Sequence, residues 1–240
     1  MTTTKAPRRR MAPELRRIQI LDDATRLILE EGLSAVSMER VAREASISKA
    51  LVYNYFPSRD HLLAALLHRE QSDLRERGLT EAIDAPKFPD LIRRTSRLFL
   101  EQSRTRGALI QALMADPSVA RLMEDENRAG RERTIAYFVQ QVREAFGFEP
   151  SLAPAAVDML MAVTAQAGHL VSDGALEIDV AEEMCVQLIV GGLERLAATH
   201  PAASRPASPA RGARTAAPGS RATARASAPS AGSAKPRRAR

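Results

Sequence analysis

The residues of this chain best suited to touching a partner crowd into one stretch, Ser48-Lys49-Ala50-Leu51-Val52-Tyr53-Asn54-Tyr55-Phe56-Pro57-Ser58-Arg59. Val52 and Phe56 are apolar and four apart, the spacing of a buried helical face. Lys49, Ala50, Tyr53 and Asn54 fall at i, i+1, i+4 and i+5, a single stripe on another face, with Leu51 and Tyr55 flanking it. Lys and Tyr donate to phosphate oxygens, Asn can read an adenine edge, and Ala or Leu can meet a thymine methyl. Two readings of this face stand side by side: contact with DNA, or tyrosines that merely pack on the next helix. Ser48 and Ser58 are N-cap residues, and the amides of the helices they open also suit phosphates. Arg59 sits in a first turn, where the helix dipole disfavours a cation, so it is expected to be kept there for an anion.

Other chemistries find little support. Cys185 lies in an apolar helical pattern, which suits a buried inert thiol better than a nucleophile. The histidines at 61, 68, 169 and 200 show no metal-ligand spacing with one another or with Cys185. A nucleophile–base pair and a phosphate loop are both missing, so no enzyme, metal or cofactor is expected. No uncharged apolar run reaches the roughly 18 residues of a membrane span, and the basic N-terminus is not followed by the apolar region of a secretory signal. A cytoplasmic, nucleoid-associated protein is the expectation.

Charge divides the chain into zones. It is +6 overall, the first ten residues carry +4 and residues 201–240 carry +9, which leaves the body between them at −7. Basic tails of this kind suit an extended polyanion, most often nucleic acid. Residues 1–12, with Arg8, Arg9 and Arg10, are expected to be a disordered arm that enters a minor groove. Residues 200–240 are Ala, Ser, Pro, Gly and Arg with almost no large apolar residue, and are expected to be disordered.

The elements that must carry the stripe are all helical, since apolar spacings of three and four recur from 13 to 199 and no alternating strand pattern occurs. A helix is expected from Pro13 to Glu31, stopped by Gly32, then short helices over Met38–Glu44, capped by Ser37, and Lys49–Tyr55, joined by a tight turn at Ala45-Ser46-Ile47. Two short helices behind a longer one, over 13–60, describe a helix-turn-helix. Further helices are expected from Ser58 to about Arg77, then at Asp90–Thr105, Ala108–Ala115, Ser118–Phe146, Ala155–Ser172 and Val180–Thr199, the last opened by an Asp179/Glu182 capping box.

In order and spacing, Ile20-Leu21 through Gly32, Ser37-Met38, Val41-Ala42, Ala45-Ser46-Ile47-Ser48 and Tyr53-Asn54-Tyr55-Phe56-Pro57-Ser58-Arg59-Asp60-His61-Leu62-Leu63 resemble the DNA-binding domain of the TetR family of bacterial transcriptional regulators. The resemblance covers about fifty residues. It implies an all-α protein with an N-terminal three-helix helix-turn-helix DNA-binding domain and a C-terminal helical ligand-binding and dimerisation domain over 61–199. It implies phosphate contact from Ser37, base contact from Lys49, Ala50 and Leu51, backbone contact from Tyr53 and Tyr55, and a phosphate near Arg59. The chain departs from the family pattern at Ser46, usually Gly, at Ala50 and Leu51, often Gly and Thr, and at Asp23, commonly Ala.

The same resemblance implies a homodimer through about 155–199, a palindromic double-stranded DNA operator, and a small-molecule ligand bound among helices between about 90 and 175. Gly191-Gly192, costly in a helix interior at roughly 1 kcal/mol each against Ala, suits close approach of another helix. Met114 and Met161 are candidates to line an adaptable apolar pocket. Gln166 and His169 are polar on an apolar helix and suit either a ligand or a hydrogen bond across the dimer. The expected function is a sequence-specific repressor released by its ligand. The alternative is an architectural protein whose basic tail binds DNA without sequence preference.

Overall fold

The computed structural model describes residues 11–200; Arg8, Arg9 and Arg10 of the expected arm and residues 201–240 of the expected tail lie outside them. Among the described residues the protein is all-α: α1 (Pro13–Glu31), a 3-10 turn (Leu33–Ala35), α2 (Met38–Glu44), α3 (Lys49–Tyr55), α4 (Arg59–Ile83), α5 (Phe88–Ala115), α6 (Pro117–Leu122), α7 (Glu124–Phe146), α8 (Ala153–Ser172) and α9 (Ile178–Thr199). None of the described helices is long and apolar enough to cross a membrane.

Two buried clusters organise these helices. The first gathers Ile20, Leu21, Ala24 and Leu27 of α1, Val41 of α2, Val52 and Phe56 at α3, and Leu62, Leu63, Leu66 and Leu67 of α4. It continues into Leu109 and Leu113 of α5 and Val119 of α6, so the core under the short helices extends past residue 60. The second joins Ile92 and Leu100 of α5, Val142 of α7, Val157 and Val171 of α8, and Cys185, Ile189 and Leu193 of α9. Cys185 is fully buried there, and that burial raises its thiol pKa even though a hydrogen bond with Thr164 acts against it.

Several helix bounds differ from the sequence expectation, each for a packing reason. α4 runs through Gly78 to Ile83, and the space a Cβ would fill at 78 is bounded by Leu98 at 3.8 Å. α5 is one helix where two were expected. Gly107 does not break it: a Cβ there would collide with the Ser172 side chain of α8, so the glycine marks a close helix crossing. Gly168 marks the same crossing from the α8 side, where a Cβ would lie 2.5 Å from Phe99 Cε1 and 2.7 Å from Ser103 Oγ. The expected helix over Ser118–Phe146 is divided at Met123, whose side chain is buried in the first cluster. The Asp179/Glu182 capping box does not form. α9 starts two residues earlier, at Ile178, and both carboxylates instead receive Arg97 of α5, with Arg93 also donating to Glu182 at 2.9 Å and to Glu183 at 3.2 Å.

Candidate nucleic-acid interface

α2, α3 and α4 each begin on a serine. Ser37 Oγ accepts from the Arg40 amide at 3.1 Å, Ser48 Oγ from the Leu51 amide at 3.2 Å, and Ser58 Oγ from the His61 amide at 3.3 Å. These caps satisfy orphan donors, and α2 and α3, of seven residues each, are too short to persist alone. Between α2 and α3 the chain turns at Ser46, with φ at +52°, and the Ile47 amide reaches back to Ala42 O at 3.0 Å.

The turn presents α3 with Val52 and Phe56 buried, Leu51 and Tyr55 half-buried, and Lys49, Ala50, Tyr53 and Asn54 exposed. Tyr55 packs on the first core cluster. Ser37 and Ser48 are exposed beside the stripe. The Lys49 ammonium lies 5.7 Å from the centre of the Tyr53 ring and pairs with Glu39 of α2, which raises the Lys49 pKa and lowers that of Glu39. Glu39 is a residue that the spacing of the stripe did not reveal, because it comes from the other helix of the pair. Any other anion that Lys49 is to receive on this face must displace that carboxylate.

Arg59 lies elsewhere than expected. Its guanidinium turns inward, with Nε donating to Val36 O at 3.0 Å, Nη2 to Leu33 O at 3.1 Å and Nη1 to Asp116 Oδ2 at 3.3 Å. The anion that tolerates a cation in this first turn is thus Asp116 at the head of α6, together with two carbonyls before α2. Burial alone would raise the Asp116 carboxyl, but the Val119 and Ser118 amides and Arg59 hold it below its ordinary value. Asp116 was legible only as a helix start; a partner 57 residues away has no local signal.

A second candidate site is a cavity of about 710 Å³ between α4, α5, α7, α8 and α9. Leu74, Phe88, Phe99, Phe138, Leu160 and Met161 are among the residues that line it. Met114, Gln166 and His169 do not. Met114 is exposed at the far end of α5, while Gln166 and His169 lie on the exposed face of α8, away from Val157, Leu160, Met161 and Thr164. His169 Nδ1 is 2.8 Å from Gln111 Nε2 on that outer face.

Residues 20–66, the segment that holds the capped short helices and the exposed stripe, match the family profile described as "Bacterial regulatory proteins, tetR family". This segment is of the tetR family of bacterial regulatory proteins. Among its relatives, a transcriptional regulator BetI of Burkholderia thailandensis is 39% identical over 77 residues, 31% of this chain and 40% of the relative. The transcriptional repressor KstR of Rhodococcus jostii is 40% identical over 67 residues, 28% of this chain and 32% of the relative. These matches span well under two thirds of either relative's length. A solved TetR-like transcriptional regulator from Rhodococcus sp. RHA1 is 25% identical and superposes with a TM-score of 0.61 over 77% of this chain and 98% of that one. The turn residue Ser46 and the apolar Leu51 stand within the matched segment.

Proposed function

We propose that the protein is a homodimeric, sequence-specific DNA-binding transcriptional regulator, a repressor released from a palindromic operator when a small molecule fills the cavity. It would act in the cytoplasm at the nucleoid. The observation that carries the reading is the α3 stripe, in which Lys49, Ala50, Tyr53 and Asn54 are exposed together while Val52 and Phe56 anchor the helix to the core. A solvated helix face has no need of that anchoring geometry or of three capping serines.

Residues 11–61 hold seven basic and eight acidic residues, so this head offers no bulk attraction to a polyanion. Affinity must come from placed contacts and from the basic arm, while specificity comes from the stripe. The dimer reading is supported by exposed apolar residues at helical spacing on α8 and α9: Met159 at 73% exposure, and Val180, Met184 and Leu188 at 50%, 47% and 54%. Gly191 has open space on its Cβ side, as close approach of a partner helix requires.

Release has a physical route. α4 is a single helix of 25 residues, about 37 Å long, that lines the cavity at Leu74–Ala82 and carries Arg59 in its first turn. A shift of its cavity end moves the residue that holds the segment in front of α2.

The test is selection of bound fragments from genomic DNA, followed by affinity measurement for the selected site and for random DNA, with the full chain and with residues 1–200. A preference of at least about a thousandfold for the selected site, kept by the shortened chain, is the expected result. Equal affinity for both DNAs, or preference lost with residues 201–240, favours the architectural reading carried by the +9 charge of that segment.

A further inference from the structure

The cavity's charged lining is of one sign. Among the described residues, Arg75, Arg131 and Arg133 are its only charged lining residues and no carboxylate lines it; the remaining walls are overwhelmingly aliphatic and aromatic carbon. Arg75 comes from α4, Arg131 and Arg133 from α7. The Arg75 side chain reaches α7, where it lies against Gly130, so all three arginines line the cavity where α4 meets α7.

The Arg75 guanidinium is only partly engaged. Nη2 donates to Ser72 Oγ at 2.9 Å and lies 3.6 Å from Glu126, which is not among the lining residues. Nη1 rests against Gly130, 3.3 Å from the position a Cβ would take. A larger residue at 130 would displace it, so the buried glycine makes room for the guanidinium along α7. Arg131 pairs with Asp158 of α8, a carboxylate outside the lining, and Arg133 makes no ion pair among the described residues.

From this arrangement we infer that the ligand is an organic anion: an apolar body held by the cavity and a single carboxylate received by Arg75, with Arg131 and Arg133 of α7 also lining the site. The inference rests on the reading of the cavity as the effector site. An organic cation would meet three positive groups and no carboxylate among the described lining residues, a repulsion strengthened by apolar walls. A neutral ligand would leave Arg75 only partly engaged and Arg133 outside the ion pairs among the described residues, whereas a carboxylate matches the planar fork of Arg bidentately. The anion would sit where Arg75 of α4 meets α7, and its hold on Arg75 would act on α4, whose other end holds Arg59.

The probes are decanoate, decan-1-ol and decyltrimethylammonium, which share one apolar chain and differ in head charge. Each is titrated into the full chain by calorimetry. The expected result is saturable binding of decanoate, binding of the alcohol weaker by about tenfold or more, and none of the ammonium. Arg75→Gln should weaken decanoate by about tenfold and leave the alcohol unchanged. If that variant melts early, Arg133→Gln, at an exposed position outside any ion pair, should lower decanoate affinity in the same direction. Absence of decanoate binding, equal binding of the alcohol, binding of the ammonium, or indifference of both variants to head charge overturns the inference. The release reading fails separately: decanoate that binds yet leaves a selected DNA fragment bound in a gel shift sinks release and leaves the ligand class standing.

Discussion

The Lys49 ammonium lies over the Tyr53 ring on the exposed side of α3, and Glu39 occupies the ammonium that the proposed DNA contact would use. Neither side chain supports the core beneath. Lys49→Ala and Tyr53→Phe are therefore expected to weaken binding to a selected DNA site by about threefold to tenfold, with the melting temperature unchanged. A fall of several degrees for either would make the stripe part of the core. The division of α3 into an anchoring and a presenting face was legible because a period of 3.6 residues is a local property. The Glu39 and Asp116 partnerships were not, because nothing local specifies which distant carboxylate meets a given cation. Ser46 illustrates a different legible feature. It is the non-glycine residue with a left-handed backbone among those described, at the position where the family pattern noted from sequence has Gly. A left-handed L-residue costs roughly 1–2 kcal/mol, partly offset by the extra chain entropy a glycine would lose on folding. Ser46→Gly should thus stabilise the protein by about 0.5–1 kcal/mol in urea unfolding, and an unchanged midpoint would mean the strain is already relieved.

At the scale of elements, glycine was the least readable residue. Gly78 and Gly107 look like breaks in sequence, because glycine lowers helix propensity and the chain nearby is polar. In the folded protein both lie inside helices, Gly107 against Ser172 and Gly168 against Phe99 and Ser103, so that α5 and α8 cross closely. Contact between helices outweighs the roughly 1 kcal/mol of lost propensity at each site. Gly168→Ala should then cost about 1–3 kcal/mol in equilibrium unfolding, because the added methyl must displace a packed ring and a serine; a neutral result would show that Phe99 yields freely. The junction of α6 with the short helices invites a second measurement. Asn caps a helix as well as Asp does, so Asp116→Asn keeps the hydrogen bonds to Ser118 and Val119 and removes the charge facing Arg59. Since the Asp116 pKa is depressed in the folded protein, its ionised form adds stability above the ordinary carboxylate value of about 4, and that stability is lost as pH falls through the lower folded value. The variant should be less stable than the parent near pH 7, and the gap should close in acid. A gap independent of pH would mean the charge contributes nothing.

On the scale of the whole molecule, a helix-turn-helix head reads one half-site, and a palindrome requires two heads held at a fixed separation of about one helical turn. The outer faces of α8 and α9 are where that separation would be set. Met159, Val180, Met184 and Leu188 are exposed on helices whose opposite faces supply much of the second core cluster, so polar substitution there leaves the interior untouched. Introducing one carboxylate into an apolar interface counts twice in a symmetric dimer, because each copy carries it across the axis. Leu188→Asp combined with Met184→Asp is expected to convert a dimer into a monomer in sedimentation at micromolar concentration, with helical content by circular dichroism unchanged. The monomer should then lose affinity for a two-half-site fragment while binding a single half-site as the parent does. A variant that stays dimeric would move the interface off these faces. A variant that becomes monomeric and keeps full affinity for the palindrome would show that one head suffices for recognition.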